Sequence, residues 1–186
     1  MTIEHNNRLW LPRSGQVISY AAGDDGYYQA GNPRVTRFVD NGNGTVSDRA
    51  TGLMWDQDPS QHGTVGGYVW GTPGTPAKFS WPDALLAIAA LNANGGHGGY
   101  TDWRLPNAME GLSIRDEKFS YTTSYPTFFL NAVAGDFWSS TTPQTDTGIA
   151  ICYRPYHTGW PINVRNKVTD TVYARPVRGG RLNSHA

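Results

Sequence analysis

The segment SWPDALLAIAALNANGG, residues 80–96, is the clearest helix in this chain, and it lies between stretches that read as short strands. Ser80 suits the N-cap, Pro82 is tolerated in the first turn, and Asp83 complements the helix dipole. Trp81, Leu85, Ile88 and Leu91 fall on one face with Ala84 beside them. Gly95 is placed to end the helix. A second, shorter helix is expected at PNAMEGLSI, where Asn107 caps and Glu110, three residues on, completes a capping box. Ahead of the helices, residues 35–55 alternate short strands with turns, and Phe38, Val46, Leu53 and Trp55 face inward if those strands pair. After Tyr121 the strand pattern returns in FWSST, IAICYR, INVRN and TVYARPV. Strands, two helices, then strands predict an α+β fold.

The 186 residues suffice for one domain with a sizeable core. Residues 1–33 are polar and Gly-rich. They read as an N-terminal arm, with one strand near residues 16–20, packed on a domain of residues 34–186. Residues 60–78 have the composition of a long loop. The totals of 22 Gly and 12 Pro also point to a loop-rich chain. No internal repeat or low-complexity tract is present. Lys+Arg and Asp+Glu are 15 each, so net charge argues for neither nucleic acid nor membrane lipid as a partner. The C-terminal third is mildly basic: Arg154, Arg165, Lys167, Arg175, Arg178 and Arg181 face only Asp146 and Asp170. No run reaches transmembrane length, and the opening MTIEHNNRLW has no apolar signal core. The expectation is a chain made in the cytosol, with assembly into a phage particle or another export route left open. Cys152 is the sole cysteine, which excludes an intrachain disulfide.

Several stretches invite a chemical reading. FVDNGNGTVSDRATGLMWD, residues 38–56, resembles a cation loop at first sight. With Gly44 at the sixth position of a calcium loop, Val39 and Ala50 occupy positions that need oxygen ligands; starting at Asp40 puts Gly42, Gly44 and Thr51 at the third, fifth and twelfth. Both registers fail, and a strand-joining Asn-Gly turn is expected. NGGHGGY, residues 94–100, follows a helix and lacks a Lys-Ser/Thr pair, so it reads as a flexible helix exit rather than a phosphate loop. His5, His62, His97, His157 and His185 show no ligand spacing. The hydroxyl run of residues 139–142 has no nearby base or nucleophile elbow. Cys152 in AICYR reads as a buried, inert thiol. In TDWRLP, Trp103 and Leu105 point inward while Asp102 and Arg104 are positioned to pair locally. No catalytic residue, metal or cofactor is expected.

Five ordered motifs carry a family resemblance: FVDNGNGTVSDRATGLMW, SWPDALLAIAALN, GGYTDWRLPN, FWSSTT and PVRGG. They resemble the DUF1566 family, the Legionella collagen-like protein C-terminal domain family, over residues 11–180. That resemblance implies the C-type lectin-like superfold, which also includes the formylglycine-generating enzyme type. The chain is further similar to variable proteins of diversity-generating retroelements. In those, adenine-directed mutagenesis rewrites a segment that begins near WSSTT and ends near PVRGG. Here that segment holds a mixture of Asp, Ile, Cys, Arg, His, Pro and Thr, as Asn-type codons with randomised adenines would yield.

The same segment, about residues 143–175, has the composition of a recognition surface, with amphipathic rings and adaptable polar groups. The expected ligand contacts are Asp146, Arg154, Tyr156, His157, Trp160, Asn163, Arg165, Asn166, Tyr173 and Arg175. The leading expectation is therefore a binding module for a protein or glycan on a cell surface. A fixed adhesin-like lectin for sulfated glycans is the alternative; the EPN, QPD and WND patterns of calcium lectins are absent. Formylglycine-type catalysis uses paired cysteines, and this chain has one. The resemblance is compatible with homo-oligomers, trimers included.

Overall fold

The computed structural model describes residues 11–32, 37–115, 128–130, 133–155 and 160–179. It is α+β and loop-rich. Strands β1 (Phe38–Asp40), β2 (Thr45–Asp48) and β3 (Leu53–Asp56) form an antiparallel meander, and β13 (Val177–Gly179) closes it beside β3. The second sheet is built from β8 (Lys78–Phe79), β9 (Phe137–Trp138), β10 (Ile149–Tyr153), β11 (Ile162–Asn166) and β12 (Val172–Tyr173), in the order β11-β10-β9-β12-β8. Its pairs are antiparallel except β9 with β12. Strand β11 lies at an edge, which places the β10–β11 hairpin at the periphery.

Helices follow from their caps. Helix α2 (Trp81–Ala93) starts where Ser80 Oγ accepts from Asp83 N–H, with Pro82 in the first turn. Ala84, Ala87, Ile88 and Leu91 are buried, and Trp81 and Leu85 pack at the margin of the same cluster. Burying each Ile or Leu is worth about 1.5–3 kcal/mol. Helix α3 (Ala108–Ser113) has the expected capping box: Asn107 Oδ1 accepts from Glu110 N–H, and Glu110 Oε2 accepts from Asn107 N–H.

Period-two alternation lets the five-stranded sheet serve two cores. Trp138, Ala150, Cys152 and Val172 join α2 in one cluster. Phe137 and Tyr153 point the other way, toward Val46, Trp55, Ile114 and Val177. A buried Arg37–Asp48 pair braces the first sheet, with Nε–Oδ1 at 2.7 Å and Nη2–Oδ2 at 2.6 Å.

Four expectations are corrected. Residues 16–20 are not a strand: the Gln16 side chain and the Tyr20 N–H donate to Asp24, wrapping this segment around the cap of the short helix α1 (Asp25–Tyr28). Residues 60–78 are not one long loop. They contain most of a 3-10 turn (Pro59–His62) and two small hairpins, β4 (Thr64–Val65) with β5 (Tyr68–Val69) and β6 (Gly71–Thr72) with β7 (Thr75–Pro76). Trp70, 1% exposed, anchors them to the α2 core. Asp102 and Arg104 do not pair. The bridge between Arg104 and Val177 brings Asp102 to Arg178 and leaves Arg104 bidentate on Glu110. The helix exit at residues 94–100 is tied down: Trp103 Nε1–H donates to the carbonyls of His97 and Tyr100.

Candidate functional site

The Asn-Gly loop is a hairpin turn. Gly42 and Gly44 sit at φ +73° and +80°, and Asn41 N–H donates to Thr45 O across the turn. Asp40 accepts from Gly42 N–H through Oδ1 and from Gln57 Nε2 through Oδ2, so both oxygens are engaged within the chain.

The C-terminal segment builds a different kind of place. Register puts Tyr153 opposite Phe137, so the next residues, Arg154 and Asp136, lie side by side. On the edge strand, Asn163 lies opposite Cys152 and Arg165 opposite Ala150, both on the same face. The intervening strand carries only these small side chains there. Long side chains from β11 therefore reach across it to Asp136. Arg165 Nε–H donates to Asp136 Oδ2 at 2.6 Å, Asn163 Nδ2–H donates to the same oxygen at 2.9 Å, and Arg154 Nε–H donates to Oδ1. One carboxylate, 8% exposed, thus gathers three side chains from two strands.

Burial acts to raise the Asp136 pKa, but the hydrogen bonds from Arg154, Arg165 and Asn163 outweigh it and hold the carboxyl below its ordinary value. The hydrogen bond to Asp136, with its charge, pushes the Arg165 pKa upward. Around this hub is an open cleft of about 470 Å³ whose walls include Lys78, Arg154, Arg165, Asp170 and Tyr173. That volume falls in the range of small-ligand sites. Lys78 Nζ stands 5.0 Å above the Tyr173 ring.

Of the residues expected to contact ligand, Arg154, Asn163, Arg165 and Tyr173 meet here. Asn166 works one turn away: its Oδ1 accepts from Val168 and Thr169 N–H, shaping the loop that carries Asp170. Asp146 is exposed in the turn before β10 and accepts from Gly148 N–H. Trp160 is 83% exposed. Tyr156 and His157 lie outside the described residues. Arg175 is a correction. It is 1% exposed and donates from Nη1 to Asp56 O and Gln57 O at 2.7 Å each, so it braces the core instead of meeting solvent. Its neighbours Ala174, Pro176 and Val177 are buried too, because the chain passes between the sheets at this point.

Asp136, Lys78 and Asp170 escaped the sequence reading. A lone carboxylate ahead of FWSST carries no motif, and only strand register reveals its partners. The histidines hold a second surprise. His62 and His97 are distant in sequence, yet their rings lie 4.7 Å apart. His62 Nε2–H donates to buried Asp56 at 2.6 Å, and His97 Nε2–H donates to Gly44 O at 2.8 Å. Gly44 O is a carbonyl and only accepts, so the His97 Nε2 carries a proton. This contact ties the Asn-Gly turn to the helix exit. Among the described residues, no group of three or more His, Cys, Asp or Glu is arranged to hold a metal ion. Cys152 is fully buried, and burial, aided by the Asp136 charge, pushes its thiol pKa far up. Ser139 Oγ–H donates to Ile151 O, and Thr141 Oγ1 accepts from Ala108 N–H, so this part of the hydroxyl run serves structure.

Among the described residues no helix is long and apolar enough to cross a membrane. A family model described as the Lcl C-terminal domain matches residues 44–178, which take in α2, α3 and every lining residue of the cleft. No curated protein and no solved structure matches the chain.

Proposed function

The chain belongs to the Lcl C-terminal domain family, and from that premise we propose that it is a ligand-recognition domain without catalytic activity. The observation that carries the proposal is the gathering of Arg154, Asn163 and Arg165 on Asp136 at an open cleft, beside Tyr173 and next to a peripheral hairpin that exposes Trp160. Aromatic and arginine side chains on a rigid strand frame are the usual anchors of recognition. The scaffold is a C-type lectin-like one in this reading. The C-terminal segment is the variable part of a diversity-generating retroelement protein, acting on a cell surface or a phage particle, with avidity raised in a homo-oligomer. The buried Asp136 precedes the variable segment, and its partners Arg154, Asn163 and Arg165 lie within it.

The three cations on the cleft wall, Lys78, Arg154 and Arg165, favour a second reading, a fixed adhesin for sulfated glycans. Two experiments separate them. Sequencing the flanking DNA tests for a near-copy of the codons for residues 143–175, differing only at adenines, beside a reverse transcriptase. Labelled protein is also bound to a panel of bacterial cells and to a glycan array at low and high salt. Trp160→Ala is expected to lose capture with an unchanged Tm. Sulfated-glycan signals that collapse with salt, with no near-copy in the DNA, select the adhesin reading. Full capture by Trp160→Ala and by Arg165→Ala together removes the hairpin as the binding surface.

A further inference from the structure

The geometry points to a narrower ligand chemistry: the cleft takes one singly charged carboxylate group, an inference that rests on the cleft being the recognition site proposed above. Both arginines are fixed through Nε to the same Asp136 carboxylate. Among the described residues, no protein acceptor meets the Nη donors of either one. Their side chains are 21% and 41% exposed, which among the described residues leaves the Nη donors for a ligand. A guanidinium held at its Nε presents its Nη donors in a set direction, and a planar two-oxygen group is the natural match. Because Asp136 already restrains both side chains, little further rotamer freedom is lost on binding.

Charge sets the number of anionic groups. Lys78, Arg154 and Arg165 face Asp136 and Asp170, which leaves one net positive charge in the cleft. One carboxylate neutralises it. A second anion on the same ligand would enter a cleft that also holds Asp136 and Asp170, and like charges at short range repel. The cleft therefore selects against densely charged polymers, although three of its walls are cationic. Thr169 and Thr171 also line it and supply hydroxyls for neutral polar groups beside the carboxylate. The carboxylate has two sources of equal chemistry, a uronic acid sugar or an acidic peptide side chain.

The test is an NMR titration of the whole 15N-labelled chain with four probes: glucuronate, a capped tripeptide with one Glu, glucose, and a heparin-derived hexasaccharide. Glucuronate, the tripeptide or both are expected to shift the Arg154 and Arg165 Nε signals and the amides of residues 169–173 saturably, and glucose is not. Whichever of the two binds names the source. Arg165→Lys keeps the charge but removes the fork, and is expected to weaken binding by about tenfold while the protein stays folded at the titration temperature. Equal affinity in Arg165→Lys overturns the fork geometry. Tighter binding of the hexasaccharide in the cleft overturns the single-carboxylate inference while the recognition reading stands. Silence from all four probes, with Trp160→Ala still losing cell capture, also overturns it and moves recognition to the hairpin tip. Silence with capture intact in both Trp160→Ala and Arg165→Ala overturns both.

Discussion

Replacing Arg175 with Met distinguishes a brace from a ligand contact. The side chain is 1% exposed, and its Nη1 donates at 2.7 Å to Asp56 O and at 2.7 Å to Gln57 O; a longer bond of 3.3 Å runs from Nη2 to Leu130 O. Hydrogen bonds from a charged donor contribute about 1.5–3 kcal/mol each, so losing the two short ones costs about 3–6 kcal/mol. Part of this is offset, because Met removes a buried charge whose Nε has no partner among the described residues. Met also keeps packing against Phe129 and Phe137, whose ring centroids lie 5.5 and 6.0 Å from the guanidinium carbon. The net loss is about 2–4 kcal/mol, which for a domain of this size lowers Tm by roughly 5–15 °C. Urea unfolding followed by circular dichroism should show a lower midpoint with an unchanged m-value. An unchanged Tm together with lost ligand capture would refute the reasoning and return Arg175 to the binding surface.

Asp136 has a depressed folded pKa, so its contribution to stability is complete above the ordinary carboxylate value and is lost as pH falls through the folded value. Tm measured from pH 6 down to about pH 2 should therefore keep a steeper acid limb, below about pH 4, in the parent than in Asp136→Asn. Gly111→Ala should destabilise, against the usual gain of about 0.5–1 kcal/mol for such a change in a helix, because the new Cβ would overlap the Tyr153 ring; a raised Tm would show that α3 shifts freely on the sheet. Cys152 should not react with a thiol reagent in the native state at pH 8 and should react fully in denaturant, given its burial and raised pKa. Fast native labelling would mean the α2 core opens readily.

Local chemistry was legible without the fold. Ser80, Asn107 and Glu110 mark helix starts because a cap is a contact between residues two or three apart. Phe38, Val46, Leu53 and Trp55 are buried as the alternation required, and the Asn-Gly turn follows from a conformation glycine adopts without strain. The composition of residues 143–175 also marked Arg154, Asn163, Arg165 and Tyr173 before their meeting place was visible. What the tertiary structure decided was pairing across long separations. Asp136 acquires its role only when β9, β10 and β11 come into register, and His62 meets His97 only when the helix exit folds back on the Asn-Gly turn. Arg175 looks like a surface arginine in one dimension and becomes a core brace because both flanking sheets close over it. Side-chain identity fixes which hydrogen bonds a residue is able to make; the distance and desolvation that determine which ones form are properties of the packed chain.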